Sequence, residues 1–307
     1  MSQNIQVLIR SVFSLALFVL AFGVYVVAAQ TTVTGDWKAS VKSENSDKIY
    51  LSFERRTEKG GKNQMGSSYE YSVLQGLSRE QAAGSGAVKF SLVREAGTID
   101  CEGSFQNGKG SGTFRFTANP SFVTAMKSRG FDFEKPSKIN KNGDNDEQEN
   151  RLFAATTLNV TTALADDLLS ANLGKLDTED LFKAAIFKVD SKFMQEMKAS
   201  GFPNLDMKDL VKARIFKVDA NYVREVREMG FKDADMESLT KLRIFKVTPE
   251  FIKEVQDEGL ANLSIEQLVQ LRIFRVDGEF IRQAKTNGSQ NLSVENLVQM
   301  RIMGKRR

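Results

Sequence analysis

Between residues 30 and 118 apolar and polar positions alternate in short runs, the signature of strands with one face in a core. The runs are Trp37–Val41, Lys48–Arg56, Ser67–Leu74, Ala87–Arg94, Thr98–Phe105 and Thr113–Thr117. In the second of them Ile49, Leu51 and Phe53 alternate with polar neighbours. Glycine-bearing connections, Glu58 to Asn63 and Gln106 to Gly110, suit hairpins because glycine takes positive φ without a steric cost. Leu74 to Gly84 reads as helical or irregular instead. The spacing predicts a small antiparallel meander, either a barrel or a curled sheet.

From residue 119 the pattern turns helical, and a longer period overlies it. Ile186-Phe187-Lys188-Val189 returns as Ile215-Phe216-Lys217-Val218, Ile244-Phe245-Lys246-Val247 and Ile273-Phe274-Arg275-Val276, and Ile302 continues the series, each 29 residues after the last. A fixed period of this size marks a stacked array. Asp190, Asp219, Thr248 and Asp277 stand as N-caps, whose side-chain oxygens take otherwise unpaired backbone N–H groups. Phe193, Tyr222, Phe251 and Phe280, with Met197, Val226, Val255 and Ala284 four residues on, give the helix an apolar face. Gly201, Gly230, Gly259 and Gly288 end it. A second helix opens at Asp206, Asp235, Ser264 and Ser293 and carries Leu210, Leu239, Leu268 and Leu297 to the next link. Helices this short hold only when packed, so each unit is predicted as a helical hairpin leaning on its neighbours.

Upstream, Thr161, Leu164, Leu168 and Leu176 keep the register of a degenerate copy that begins near Thr161. Asn119 to Phe131 reads as the first helix of a still earlier copy, followed by a polar insert over 135–150 that is expected to be mobile. Its Gly143-Asp144-Asn145-Asp146-Glu147 alternates acidic groups but lacks the central glycine and terminal bidentate glutamate of a calcium loop. The last copy drifts polar at Gln283, Asn287 and Ser289, as a cap facing solvent would. The expected architecture is therefore α+β and multidomain. A β-domain spans 30–118, a degenerate first repeat 119–160, and helical hairpins over 161–307 form a short α-solenoid.

Residues 1–29 read as an address. Met1 to Arg10 is polar with one cation, Arg10, and Ser11 to Ala29 is uncharged and dominated by Phe, Leu, Val and Ala. Val27-Ala28-Ala29 before Gln30 presents the small or modest side chains a signal peptidase prefers, completing a three-part export signal. The alternative is an uncleaved anchor, since the apolar stretch approaches the roughly 20 residues that span a bilayer. Under both readings Arg10 stays on the cytoplasmic side and the body is expected to be extracytoplasmic, periplasmic or secreted.

Composition narrows the chemistry. Among 307 residues, 43 Lys and Arg against 39 Asp and Glu leave a net charge of +4, and the chain beyond residue 118 is nearly neutral. Nucleic acid is not expected as a partner, because counterion release needs a surplus of cations. No histidine occurs, which excludes Ser-His-Asp and Cys-His catalysis and His-ligated zinc. Cys101 is the sole cysteine, so intrachain disulfides and thiolate metal sites go as well. It alternates with Ile99, Gly103 and Phe105 and reads as a core residue. Gly103 to Gly110 has the spacing of a phosphate loop, but Gly110 replaces the Ser or Thr after Lys109, and a strand follows; a hairpin is the better reading. Gly35-Asp36-Trp37 resembles the Gly-x-Trp of lipocalin-type barrels, yet the domain is short for eight strands and Trp37 reads as core. No catalytic residue, cofactor or metal ligand is assigned.

The candidate partner-binding residues are the repeated cations Arg214, Arg243, Arg272 and Arg301 of the second helix, with Lys217, Lys246 and Arg275 of the link. Lys188 holds the same link position. Stacked units would align them in ladders about 10 Å apart, with Glu196, Glu225 and Glu254 as an acidic row on the first helix. Pairing between rows, or simple solvation, is the competing interpretation. Leu242-Arg243-Ile244-Phe245-Lys246-Val247-Thr248-Pro249-Glu250-Phe251 and its sister segments across 161–303 resemble helical-hairpin repeats of bacterial exported or membrane-tethered proteins. Some of those repeats are fused to sensor regions of antirepressor-type membrane metallopeptidases. The His-Glu-x-x-His site of the peptidase is absent, so the resemblance implies a sensing or interaction accessory and no proteolysis. The expected function is non-catalytic binding of an envelope protein or peptide through the repeat surface, with the membrane met only through an uncleaved N-terminal segment. The alternatives are a small-molecule or lipid carrier using the β-domain interior and, more remotely, a carboxylate-based glycosidase.

Overall fold

A computed structural model describes residues 32–42, 46–56, 62–135, 147–289 and 292–304. The export or anchor segment, residues 57–61 of the glycine-bearing connection and most of the polar insert, 136–146, lie outside the described residues.

Seven antiparallel strands, β1 (Thr32–Ser40), β2 (Lys48–Arg56), β3 (Lys62–Glu70), β4 (Leu74–Gln75), β5 (Ser85–Arg94), β6 (Gly97–Gln106) and β7 (Lys109–Ala118), form one curled sheet. Their order is β3-β2-β1-β7-β6-β5-β4, so two meanders meet where β1 pairs with β7, and the sheet is an open half-barrel. The stretch between β4 and β5 is a short helix, α1 (Arg79–Ala83), closed by a capping box from Ser78 and Gln81. Gln106 pairs with Lys109 across Asn107 and Gly108, whose φ values of 49° and 78° are those of a tight two-residue hairpin. The resemblance to a phosphate loop is thus accidental.

Alternation drives one face of every strand inward. Trp37, Phe53, Phe90, Ile99, Cys101 and Phe116 are buried there, and Trp37 donates its indole N–H to the Glu102 carbonyl at 3.2 Å. The backbone comes close beside this indole. Gly103 and Gly112 face each other across β6 and β7, and a Cβ on Gly112 would lie 2.0 Å from the Glu102 oxygen. Gly112→Ala should therefore lower stability by about 2–3 kcal/mol, read as the midpoint of urea unfolding.

The helices that follow are α2 (Pro120–Ser128), α3 (Glu147–Leu158), α4 (Thr162–Ser170), α5 (Thr178–Phe187), α6 (Ser191–Ala199), α7 (Met207–Phe216), α8 (Ala220–Glu228), α9 (Met236–Ile244), α10 (Pro249–Asp257), α11 (Ile265–Phe274), α12 (Gly278–Thr286) and α13 (Val294–Gly304). Among the predicted repeats, Asp190, Asp219, Thr248 and Asp277 accept the N–H groups of Phe193, Tyr222, Phe251 and Phe280 at 2.8–3.3 Å, as N-caps do. Gly201, Gly230, Gly259 and Gly288 sit at φ 83–102°, ending the first helix of each pair. Packing follows parity. The odd-numbered helices pack in sequence from α3 through α13, and even-numbered helices pack on even-numbered ones, with α4 on α2, α6 on α4, α8 on α6 and α12 on α10.

The degenerate first repeat closes on α3, whose opening residues fall within the stretch assigned to the insert. This helix lies against β1, β3, β6 and β7 in the curve of the sheet. Phe153 stacks on Phe114 at 5.3 Å and meets the edges of Phe53 and Phe116 at 6.0 and 5.5 Å. Around it Tyr69 donates its hydroxyl to the Thr157 carbonyl at 3.1 Å, and Arg55 bonds the Asn150 side chain. Burial pushes the Tyr69 phenol up to about 12. The β-domain and the helical region consequently share one apolar core.

Candidate interaction surface

The repeated arginines are engaged by their own hairpins, although Arg243 is exposed and the other three are half-buried. Each guanidinium lies over the aromatic ring of the first helix in its own hairpin: Arg214 over Phe193 and Arg243 over Tyr222 at 3.7 Å, Arg272 over Phe251 and Arg301 over Phe280 at 4.7 Å. The stacking is a cation–π contact between the helices of one unit. Two of them also reach the preceding link, where a helix end leaves carbonyls without partners. Arg272 donates Nε to the Phe245 carbonyl at 3.0 Å, and Arg243 donates Nε to the Lys217 carbonyl at 3.3 Å. Arg214 stands 4.0 Å from Asp190. A planar guanidinium can stack on the ring while its edge donates to a carbonyl, which a compact ammonium cannot do at once. Arg272→Ala is expected to cost about 1–2 kcal/mol of stability, with Arg272→Lys recovering little of it in the same unfolding measurement.

Within the acidic row Glu196 stands 4.0 Å from Lys192 of its own helix, whereas Glu254 reaches the next unit. Glu254 accepts the backbone N–H of Gly278 at 3.0 Å, and Asp167, at the equivalent place two units before Glu225, accepts that of Ser191 at 2.7 Å. Carboxylates here cap the next helix across the unit boundary. Further ties between units are the two bonds from Arg129 to Asp166, at 2.7 and 2.9 Å, and the paired bonds from Arg282 and Lys285 to Glu258, at 2.8 Å each. Lys285 and Arg282 hold the Glu258 carboxyl below the usual carboxylate range.

The link carries what the packing leaves over. In each Ile-Phe-Lys-Val the valine is buried and the phenylalanine is partly buried against the core. The isoleucine is not. Ile186, Ile215, Ile244, Ile273 and Ile302 are 40–51% exposed, and Met303 beside the last is exposed too. Two residues after each of the first four isoleucines, Lys188, Lys217, Lys246 and Arg275 adopt the left-handed conformation, φ 52–58°, that turns the chain out of the helix. These four side chains are exposed, and among the described residues they form no ion pair. Since the odd-numbered helices run side by side, equivalent residues recur at the interaxial spacing of about 8–10 Å. The result is an apolar stripe bordered by cations along one edge of the helical region.

Of the residues singled out from sequence, Lys217, Lys246 and Arg275 thus lie on an open surface. Arg214, Arg243, Arg272 and Arg301 lie against rings. Repetition made the isoleucines visible in the sequence, but repetition alone reads as core; their exposure is what sets them apart. Cys101 is fully buried, and burial pushes its thiol upward, away from nucleophilic use. No helix among the described residues is long and apolar enough to cross a membrane. No protein-family model, curated protein or solved structure matches the chain.

Proposed function

We propose that the helical region is a short α-solenoid and that the protein is a non-catalytic docking protein working through its repeat surface on the extracytoplasmic side of the cell. The observation that carries this reading is the isoleucine stripe. An isoleucine left 40–51% exposed at the same place in five successive units contributes little to packing, and its recurrence along one edge supports a contact site there. The lack of histidine and the burial of Cys101 fit a binding role. The extracytoplasmic placement is supported by the sequence of residues 1–30. Phe153, standing on the concave face of the sheet, weighs against the carrier alternative.

The test is a variant with Ile215, Ile244 and Ile273 all changed to Ser. Its thermal midpoint and circular dichroism should stay within a degree or two of the parent, as expected for substitutions outside the core. Its retention on an immobilised envelope fraction from the producing cells should fall to background. Equal retention of parent and variant would remove the stripe from the function.

A further inference from the structure

Resting on that reading, we infer that the occupant of the stripe is the surface of an anionic lipid bilayer. Three features of the edge point there. The first is its pairing of chemistries: four successive units each offer one exposed isoleucine and, two residues on, one exposed cation with no ion pair among the described residues, at Ile186 and Lys188, Ile215 and Lys217, Ile244 and Lys246, Ile273 and Arg275. Apolar side chains that enter the headgroup boundary, beside cations that stay among the phosphates, are the composition of an interfacial membrane contact. Asp190, Asp219 and Asp277, two residues after Lys188, Lys217 and Arg275, each accept the N–H of a helix they cap, and Thr248 stands at that place after Lys246.

The second feature is repetition. The same pair recurs at each unit, about 8–10 Å from the last. A folded partner would engage more than one or two of these pairs only if it carried a repeat of matching spacing. A bilayer presents the same chemistry at every point and needs no register.

The third is charge. A second copy of this chain, laid stripe to stripe, would bring Lys217, Lys246 and Arg275 against their own kind, and like charges at short range oppose such a dimer. The surface of an anionic membrane has the complementary sign.

The experiment is co-sedimentation of the full chain with vesicles of phosphatidylcholine alone or mixed with phosphatidylglycerol. Three proteins are compared: the parent, Ile215→Ser/Ile244→Ser/Ile273→Ser, and Lys217→Gln/Lys246→Gln/Arg275→Gln. Comparison among them cancels whatever residues 1–31 contribute, and circular dichroism confirms that all three are folded. Phosphatidylglycerol should increase sedimentation of the parent, and added salt should reverse the increase. The cation variant should bind the mixed vesicles roughly a hundredfold more weakly, and the isoleucine variant roughly tenfold or more. No increase with phosphatidylglycerol, or an increase as large in either variant as in the parent, would overturn the proposal. Retention on the envelope fraction then separates the two readings. If retention still depends on the isoleucines while vesicles do not bind, the stripe docks a protein; if neither assay responds to them, both readings fall.

Discussion

Phe153→Ala is expected to destabilise the protein by about 3–5 kcal/mol, read as a lowered midpoint in urea unfolding with an unchanged slope. The ring fills the curve of the sheet, with Phe114 parallel to it and Phe53 and Phe116 edge-on. Removing it leaves a cavity among three aromatic rings that are fixed to strands on either side of the β1–β7 seam, so the site has little freedom to collapse. The effect should extend beyond the sheet. Helix α3 also packs on α5, and through it the array is anchored to the β-domain. Strand and helix signals should therefore shift together in the variant. A loss below about 1 kcal/mol would mean that α3 does not close the sheet.

What the sequence revealed, and what it concealed, follows from the range of the interactions involved. Asp219 as an N-cap and Gly230 as a helix end were legible because each acts on a backbone group within a few residues. The strands were legible because Ile49, Leu51 and Phe53 alternate over a single run. The ring beneath Arg243 was not, since Tyr222 lies 21 residues away and the two meet only when the hairpin closes. The same limit applied to Phe153. Its helix follows a polar stretch, and nothing local shows that its apolar side chain belongs to a sheet formed some forty residues earlier. Exposure of the isoleucines was hidden for another reason. In Ile244-Phe245-Lys246-Val247 three of four residues are apolar, and only the left-handed turn at Lys246 decides which of them face the core.

That turn also carried an unexpected preference. The link uses Lys or Arg at a left-handed position where glycine or asparagine is the easier choice. Retaining a cation there, at the cost of some backbone strain, in four successive links is understandable if its charge is used on the surface. This is part of the residue set on which the sequence placed a partner, now reduced to the members that lie over no ring, Lys217, Lys246 and Arg275, and joined by the isoleucines.

The central claim is that neighbouring units hold one another folded and so carry a common outer edge. The most direct measurement is the circular dichroism melt of a peptide covering one unit, Asp219 to Val247, beside that of the whole chain. Two short helices with Tyr222, Val226, Leu239 and Leu242 turned toward absent neighbours should be largely unfolded at room temperature, without a cooperative transition. The full chain should melt cooperatively. A lone unit that melts as sharply and at as high a temperature as the whole would contradict the claim.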